Sequence, residues 1–142
     1  MTPQRVTLIT LGVADLTRAK TFYSALGWSP TRDEGEVVFY QINGMVLGFF
    51  GLEPLAKDQG RPDAKLGTGA ITLAQNFNSE AEVDAAYTLA LTAGASALKT
   101  PEKVFWGGYS GYYADPDGHV WEVAHNPFWE LNPDGSLTLP AK

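Results

Sequence analysis

The chain has 142 residues, of which 44% are hydrophobic, a net charge of −6 and no cysteine. The hydrophobic content is enough for a packed core and excludes a disordered chain, and the length fits one domain or two small modules that share a core. The acidity and the scattered Lys and Arg residues argue against a nucleic-acid-binding face.

The absence of cysteine excludes disulfides and thiolate metal sites and fits a reducing compartment. The longest apolar run, residues 44–52, is broken by glycines and is too short to span a bilayer. The first residues show no signal-peptide pattern. We therefore expect a cytoplasmic protein with neither membrane nor nucleic-acid partners.

The first half of the chain predicts a strand, a helix, a β-hairpin and then a linker. Asp15 is a favourable N-cap for the helix, whose apolar residues recur at helical spacing until Gly27 ends it. Asn43-Gly44 between two apolar runs is a strong hairpin signal, because both residues tolerate positive φ. The predicted elements are a strand at 5–13, a helix at 15–26, hairpin strands at 37–42 and 45–50, and a linker at 53–67.

The second half of the chain repeats this order. Ser79 and Glu82 form a capping box that begins a second helix, and Gly94 ends it. The Asp115-Pro116-Asp117-Gly118 segment suits a tight turn between two strands. The predicted elements are a strand at 69–77, a helix at 79–93, an extended segment at 96–106, and strands at 109–114 and 119–125.

The two halves together indicate an internal repeat. Each half gives a strand, a helix and a hairpin, with one further weak strand expected, so the predicted fold class is α+β. We place the first βαβββ module at residues 1–52, the linker at 53–67, the second module at 68–126 and a C-terminal tail at 127–142, all within one structural domain. Three apolar residues of the tail are expected to pack back onto the body: Phe128, Trp129 and Leu131.

Two sequence blocks carry a family resemblance. The first runs from Leu11 to Leu16 and continues with Phe22-Tyr23 and Leu26-Gly27 on the first helix. The second, residues 110–123, combines an aromatic strand, an Asp-Pro-Asp-Gly turn and Glu122, which follows the turn glycine by four residues. Together they resemble the vicinal oxygen chelate superfamily, the glyoxalase, bleomycin resistance and extradiol dioxygenase type. The resemblance covers nearly everything before residue 127. It implies two tandem modules whose curled mixed sheets surround a cleft, with helices on the outer faces, and a homodimer.

The resemblance also implies four positions for metal ligands, two in each module. Carried onto this sequence by motif and by the repeat, they fall on Leu8, Gly48, Ala70 and Glu122. Only Glu122 has a side chain that can bind a metal ion, whereas a catalytic zinc, iron or manganese site generally needs about three protein ligands. We therefore expect no catalytic metal and no other cofactor.

The alternation of side chains along the strands separates two faces of each sheet. With Glu122 taken as facing the cleft, the opposite face collects bulky residues such as Ile9, Leu11, Leu73 and Trp121, which we expect to lie under the helices. The cleft face mixes small, hydroxyl and charged residues, as a ligand surface does. We predict Glu122 as the catalytic residue, together with eight ligand-binding residues: Thr10, Phe39, Gln41, Phe50, Thr72, Trp106, Tyr109 and Tyr113.

Three functions are compatible with this reading. The first is a metal-independent binding protein that holds a small apolar or aromatic molecule. The second is a lyase, isomerase or hydrolase that uses Glu122 as an acid or base, with an electrophilic partner such as Tyr113 or Gln41. The third, a metal-dependent lyase or dioxygenase, is disfavoured by the number of ligands. The sequence does not separate the first two.

Overall fold

The structure is a computed structural model that describes residues 1–141. The chain forms two compact units, Met1–Gly67 and a second unit that begins at Thr68. Each unit contains a strand, a helix and three further strands in that order. The prediction of an α+β fold with two tandem βαβββ modules is therefore confirmed.

The first unit is a four-stranded sheet with the strand order β1-β4-β3-β2. The strand β1 runs parallel to β4, and the other neighbours are antiparallel. Asp15 accepts a hydrogen bond from the backbone N–H of Arg18 and so begins the first helix. The elements are β1 (Leu8–Val13), α1 (Leu16–Ala25), β2 (Arg32–Asp33), β3 (Val37–Ile42), β4 (Met45–Gly51) and α2 (Leu52–Asp58).

The core of the first unit is an aromatic cluster between α1 and the sheet. Tyr23 of α1 stacks on Phe49 of β4 with ring centroids 4.6 Å apart, and Tyr40 meets Phe49 edge-on at 5.6 Å. Leu11 and Leu47 lie on the same face and are buried. This is the bulky face of the sheet, which was predicted to lie under a helix.

The segment predicted to be a linker begins with a short helix, α2. Leu55 and Ala56 are buried, and the side chains of Leu52 and Leu55 lie so close to Gly12 that a Cβ added there would be 2.8 Å from Leu52. Pro54 lies in the first turn of α2, where a backbone N–H has no partner within the helix. The proline that suggested a linker is therefore compatible with a helix that covers the first strand.

The second unit has the strand order β5-β8-β7-β6, with β5 parallel to β8. The side chain of Ser79 accepts a hydrogen bond from the N–H of Glu82, and Gly94 ends the helix with φ at 116°. Trp121 and Val123 of β8 are buried. The elements are β5 (Thr72–Asn76), α3 (Glu80–Ala93), β6 (Ser96–Lys103), β7 (Tyr109–Ala114) and β8 (Val120–His125).

The turns of the two hairpins differ in length by one residue, and this difference changes which residues of β7 lie on each face of the second sheet. In the first hairpin, Ile42 pairs with Met45 across Asn43-Gly44. In the second, the N–H of Asp115 donates to the carbonyl of His119, so three residues, 116–118, form the turn. Gly118 has a φ of 93°, as the last residue of a three-residue turn requires. Because of the extra residue, β7 is shifted by one position relative to the equivalent strand β3.

Among the described residues, no helix is both long enough and apolar enough to cross a bilayer.

Candidate functional site

An open pocket of ≈ 470 Å³ lies on one face of the second sheet. The hydroxyl of Tyr109 donates to Asp84 of α3 at 2.7 Å, which places α3 on the face that Tyr109 shares with Trp121 and Val123. Glu122 alternates with those two residues, so the pocket lies on the face opposite α3. The pocket is lined by Ala74, Asn76, Trp106, Glu122, Ala124, Asn126, Phe128 and Trp129.

Glu122 is at the floor of the pocket, on the strand β8 between β5 and β7. Its direct neighbours across the sheet are Ala74 on one side and Tyr112 on the other. The small side chains of Ala74 and Ala124 leave the carboxylate accessible from the pocket, and Glu122 is half-buried.

Tyr112 lies directly opposite Glu122 on the same face of the sheet. The pKa of Tyr112 lies above its usual value. Burial is the largest cause of this rise, followed by the negative charge of Glu122 and by its capacity to accept a hydrogen bond from the phenol. A phenol therefore neighbours the carboxylate, although Tyr112 does not itself line the pocket.

Trp106 forms a wall of the pocket from the turn between β6 and β7. This turn is closed by hydrogen bonds from the N–H of Val104 to the carbonyl of Gly108 and from the N–H of Gly107 to the carbonyl of Val104. A Cβ added to Gly108 would lie 1.8 Å from the Trp106 ring. The indole therefore packs directly on the backbone of Gly108, and only glycine leaves room for it.

Phe128 and Trp129 reach the pocket because the chain turns back after β8. The side chain of Asn126 accepts a hydrogen bond from the N–H of Phe128 at 2.9 Å, and its carbonyl accepts one from Trp129 at 3.1 Å. A Cβ added to Gly107 would lie 3.0 Å from the Phe128 ring. Phe128 is 70% exposed and Trp129 39% exposed, so both rings present area that a ligand can cover.

Two of the predicted site residues, Glu122 and Trp106, meet in this pocket. Thr72 lies on the same face, opposite Val120, but is exposed and does not line the pocket. Asn76 continues the alternation of Thr72 and Ala74 along β5, so one more step of the face pattern would have identified it. Asn126, Phe128 and Trp129 lie beyond the last strand, where side-chain alternation gives no signal.

The structure corrects the predicted facing of two tyrosines. Tyr113 pairs with Trp121 and is only 2% exposed, so it lies in the core under α3. Burial raises the pKa of Tyr113, and the charge of Asp115 adds to the rise. Tyr109 is on the same face, where its hydrogen bond to Asp84 is the largest cause of its raised pKa. The extra residue in the second turn is the physical reason, because it shifts the pairing of β7 with β8 by one position. Tyr112, and not Tyr113, therefore shares a face of the sheet with Glu122.

The remaining four predicted residues lie in the first unit, on the face opposite the aromatic core. Thr10 and Phe39 flank Gly48 from the two neighbouring strands, and the Phe39 ring lies 3.2 Å from where a Cβ of Gly48 would be. The side-chain amide of Gln41 donates to the carbonyls of Ile42 and Met45, so it closes the hairpin. Phe50 shares this face and lines a separate, more polar surface pocket with Glu36, Glu53, Pro54, Lys57 and Asp58.

The residues do not fit the metal ion that the family resemblance implies. In the part of the chain that the structure describes, no group of three or more His, Cys, Asp or Glu side chains could share a metal ion. Leu8 and Gly48 supply no donor atom, and Ala70 precedes β5. The Phe39 ring also occupies the space that a ligand side chain at position 48 would need. Only Glu122 offers a ligand at these positions.

Comparisons with known proteins agree with the fold. A model of the Glyoxalase/Bleomycin resistance protein/Dioxygenase superfamily matches residues 5–123. A glyoxalase-related enzyme from Fulvimarina pelagi is 39% identical over 98% of this chain and 100% of that chain, with a TM-score of 0.92. A glyoxalase/bleomycin resistance protein from Albidiferax ferrireducens is 25% identical over 86% and 98% of the two chains, with a TM-score of 0.66.

A curated relative matches only part of the chain. An uncharacterized protein of Mycobacterium bovis is 42% identical over 53 residues, which are 37% of this chain and 34% of that protein. The match thus spans about a third of the length of the curated relative.

Proposed function

The chain belongs to the glyoxalase/bleomycin resistance protein/dioxygenase superfamily, and we propose that it binds a small apolar or aromatic organic molecule without a catalytic metal. The binding site is the pocket of the second unit. The observation that carries this proposal is the lining of that pocket, which combines three aromatic side chains with one carboxylate: Trp106, Phe128, Trp129 and Glu122. Aromatic walls with a few polar groups are the usual composition of a small-molecule site.

The size and accessibility of the pocket support a flat ligand of one or two rings. A volume of ≈ 470 Å³ lies within the range of small-molecule pockets. Trp106 and Trp129 are each more than a third exposed, so a ligand that stacks on them removes apolar area from water. The amides of Asn76 and Asn126 provide hydrogen bonds at the rim.

A calorimetric titration with 1-naphthylmethanol tests the proposal. Trp106→Ala removes one wall, and we expect about tenfold weaker binding, since an aromatic stack contributes about 0.5–1.5 kcal/mol beyond its buried area. Phe105→Ala is the matched control, because Phe105 is the neighbouring residue and is fully exposed outside the pocket. Equal affinities for Trp106→Ala and the unsubstituted protein would refute the site.

The pairing of Tyr112 with Glu122 across the sheet favours a second function, a metal-independent lyase, isomerase or hydrolase. In this alternative the carboxylate takes a proton from the substrate and the phenol stabilises the developing negative charge. Both Glu122→Gln and Tyr112→Phe would then abolish turnover while binding persists. Turnover of a carbonyl substrate that survives both substitutions would contradict this alternative.

Metal independence is tested by elemental analysis of the purified protein. We expect no stoichiometric zinc, nickel, manganese or iron, because three of the four family ligand positions, Leu8, Gly48 and Ala70, lack donor side chains. Ligand binding should also be unchanged by a chelator. One tightly held transition metal per chain would contradict the proposal.

We further propose that the protein is a homodimer in the cytoplasm. The strands β1 and β5 each lie at the end of their sheet, and an unpaired strand edge is usually covered in a stable protein. Leu8 on β1 is 41% exposed, which gives such a contact apolar area. Sedimentation equilibrium should give twice the chain mass of 15.3 kDa. A single species of 15.3 kDa at micromolar concentration would contradict the dimer.

A further inference from the structure

We propose that the pocket of the second unit selects organic cations, that is, molecules with an aromatic or alkyl body and a positively charged nitrogen. This inference rests on the proposed function and names the class of ligand. It follows from the charges of the pocket and from the arrangement of its rings.

The charge of the pocket is negative and is not neutralised locally. Glu122 is the sole charged side chain in the lining, and the other polar lining residues, Asn76 and Asn126, are neutral amides. The ion pairs found within residues 1–141 use other carboxylates, and the side chain opposite Glu122 on β7 is the neutral Tyr112. A bound anion would be repelled by this carboxylate, because no basic side chain lines the pocket, whereas a cation would form an ion pair with it.

The rings that line the pocket together with Glu122 favour the same ligand. The face of an indole or phenyl ring carries negative electrostatic potential and attracts a cation within about 6 Å of its centre, with Trp the most effective. Trp106, Phe128 and Trp129 all line the pocket with Glu122. A positively charged nitrogen can therefore contact both the carboxylate and an aromatic face, while the apolar body of the ligand covers the remaining rings.

The sheet fixes the position from which Glu122 enters the pocket. Its neighbours across the sheet are Ala74 on β5 and Tyr112 on β7, and neither carries a charge that would neutralise the carboxylate. Because Glu122 lines the pocket, its carboxylate oxygens can accept hydrogen bonds from a ligand. A protonated amine can donate such hydrogen bonds, whereas a quaternary ammonium is attracted by charge alone.

Four naphthyl probes of matched shape test the inference by calorimetry. They are 1-naphthylmethylamine, trimethyl(1-naphthylmethyl)ammonium, neutral 1-naphthylmethanol and anionic 1-naphthoate. We expect both cations to bind roughly tenfold more tightly than the alcohol, and the anion to bind most weakly. Comparison of the two cations separates hydrogen-bond donation from charge, since the quaternary ion has no N–H. The preference for cations should also decrease as salt is raised.

Two substitutions complete the test. Glu122→Gln keeps the shape of the side chain and removes its charge, so the cations should lose most of their advantage over the alcohol and keep only the part that the rings contribute. Glu102→Gln removes an exposed charge on β6 outside the pocket and should leave the preference unchanged. Equal binding of the cations and the alcohol by the unsubstituted protein would overturn this inference and leave the proposed function standing. If none of the four probes binds, both fail.

Discussion

The two units share one βαβββ architecture but use the face opposite the helix differently. In the first unit, the Phe39 ring covers Gly48, and the space above the central strand is filled by the protein itself. In the second unit, Glu122 holds the position equivalent to Gly48, and small neighbours leave a pocket above it. The repeated fold therefore supplies the same strand positions in both units, and a few side chains determine which unit is open to a ligand.

The largest expected effect separates aromatic residues that hold the fold from those that line the pocket. Phe49→Ala removes a ring that is 1% exposed and stacked on Tyr23, and it should lower the free energy of unfolding by about 3–5 kcal/mol. Trp106→Ala, in the pocket of the second unit, should lower it by less than about 1.5 kcal/mol because Trp106 is 38% exposed. Urea denaturation measures both. Similar losses for the two variants would break the distinction between core and pocket.

Gly108→Ala is the next largest test, because it acts on the wall of the pocket alone. The added methyl group would lie 1.8 Å from the Trp106 ring and must displace it. We expect binding of 1-naphthylmethylamine to weaken about tenfold, as for loss of the ring itself, together with a changed Trp fluorescence spectrum. Gly67→Ala is the control, since its added Cβ meets no atom within 4 Å and the backbone there is not left-handed. Unchanged fluorescence and affinity would show that Gly108 does not position Trp106.

The pH dependence of stability tests the buried position of Tyr113 on β7. Burial raises the pKa of Tyr113 above its usual value of 10.0, so the folded protein keeps the phenol proton at pH values where the unfolded chain loses it. The stabilisation is complete below about pH 10 and decreases as the pH rises through the pKa of the folded state. Tyr113→Phe should remove this part of the alkaline destabilisation, measured by denaturation at a series of pH values. A profile identical to that of the unsubstituted protein would contradict the buried position.

The smallest expected effect concerns a buried hydroxyl in the first unit. Tyr40 is 1% exposed, and its hydroxyl has no hydrogen-bond partner among the described residues. Tyr40→Phe removes this polar atom and keeps the ring that packs against Phe49. We expect the free energy of unfolding to stay the same or rise by up to about 1 kcal/mol. A decrease of more than about 1 kcal/mol in the free energy of unfolding would mean that the hydroxyl has a hydrogen-bond partner in solution.

The fold could be predicted from sequence because its signals are local. Asp15 and Ser79 begin their helices, and Asn43-Gly44 forms the first hairpin as expected. The alternation along β8 correctly separated Glu122 from buried Trp121. Each of these signals depends on a few neighbouring residues, and tertiary packing reinforces it.

The site could be predicted only in part, because it depends on turn geometry and on the return of the chain. The Asp-Pro-Asp-Gly motif indicates a turn but does not fix the number of residues in it. One additional turn residue places Tyr112, and not Tyr113, on the face of the sheet that carries Glu122. The turn that brings Phe128 to the pocket is held by one side-chain and one backbone hydrogen bond of Asn126. The helix α2 escaped prediction because Pro54 resembles a helix-breaking signal.

The most direct test of the account is to map ligand contacts by NMR chemical shifts in the intact protein. During a titration with 1-naphthylmethylamine, the largest backbone amide shifts should come from residues that line the pocket of the second unit: Ala74, Asn76, Glu122, Ala124 and Asn126. The indole N–H of Trp106 should shift with them. The proposed binding site would be contradicted if the largest shifts came from Gly48 and Phe39 of the first unit while the signals of the pocket in the second unit stayed unchanged.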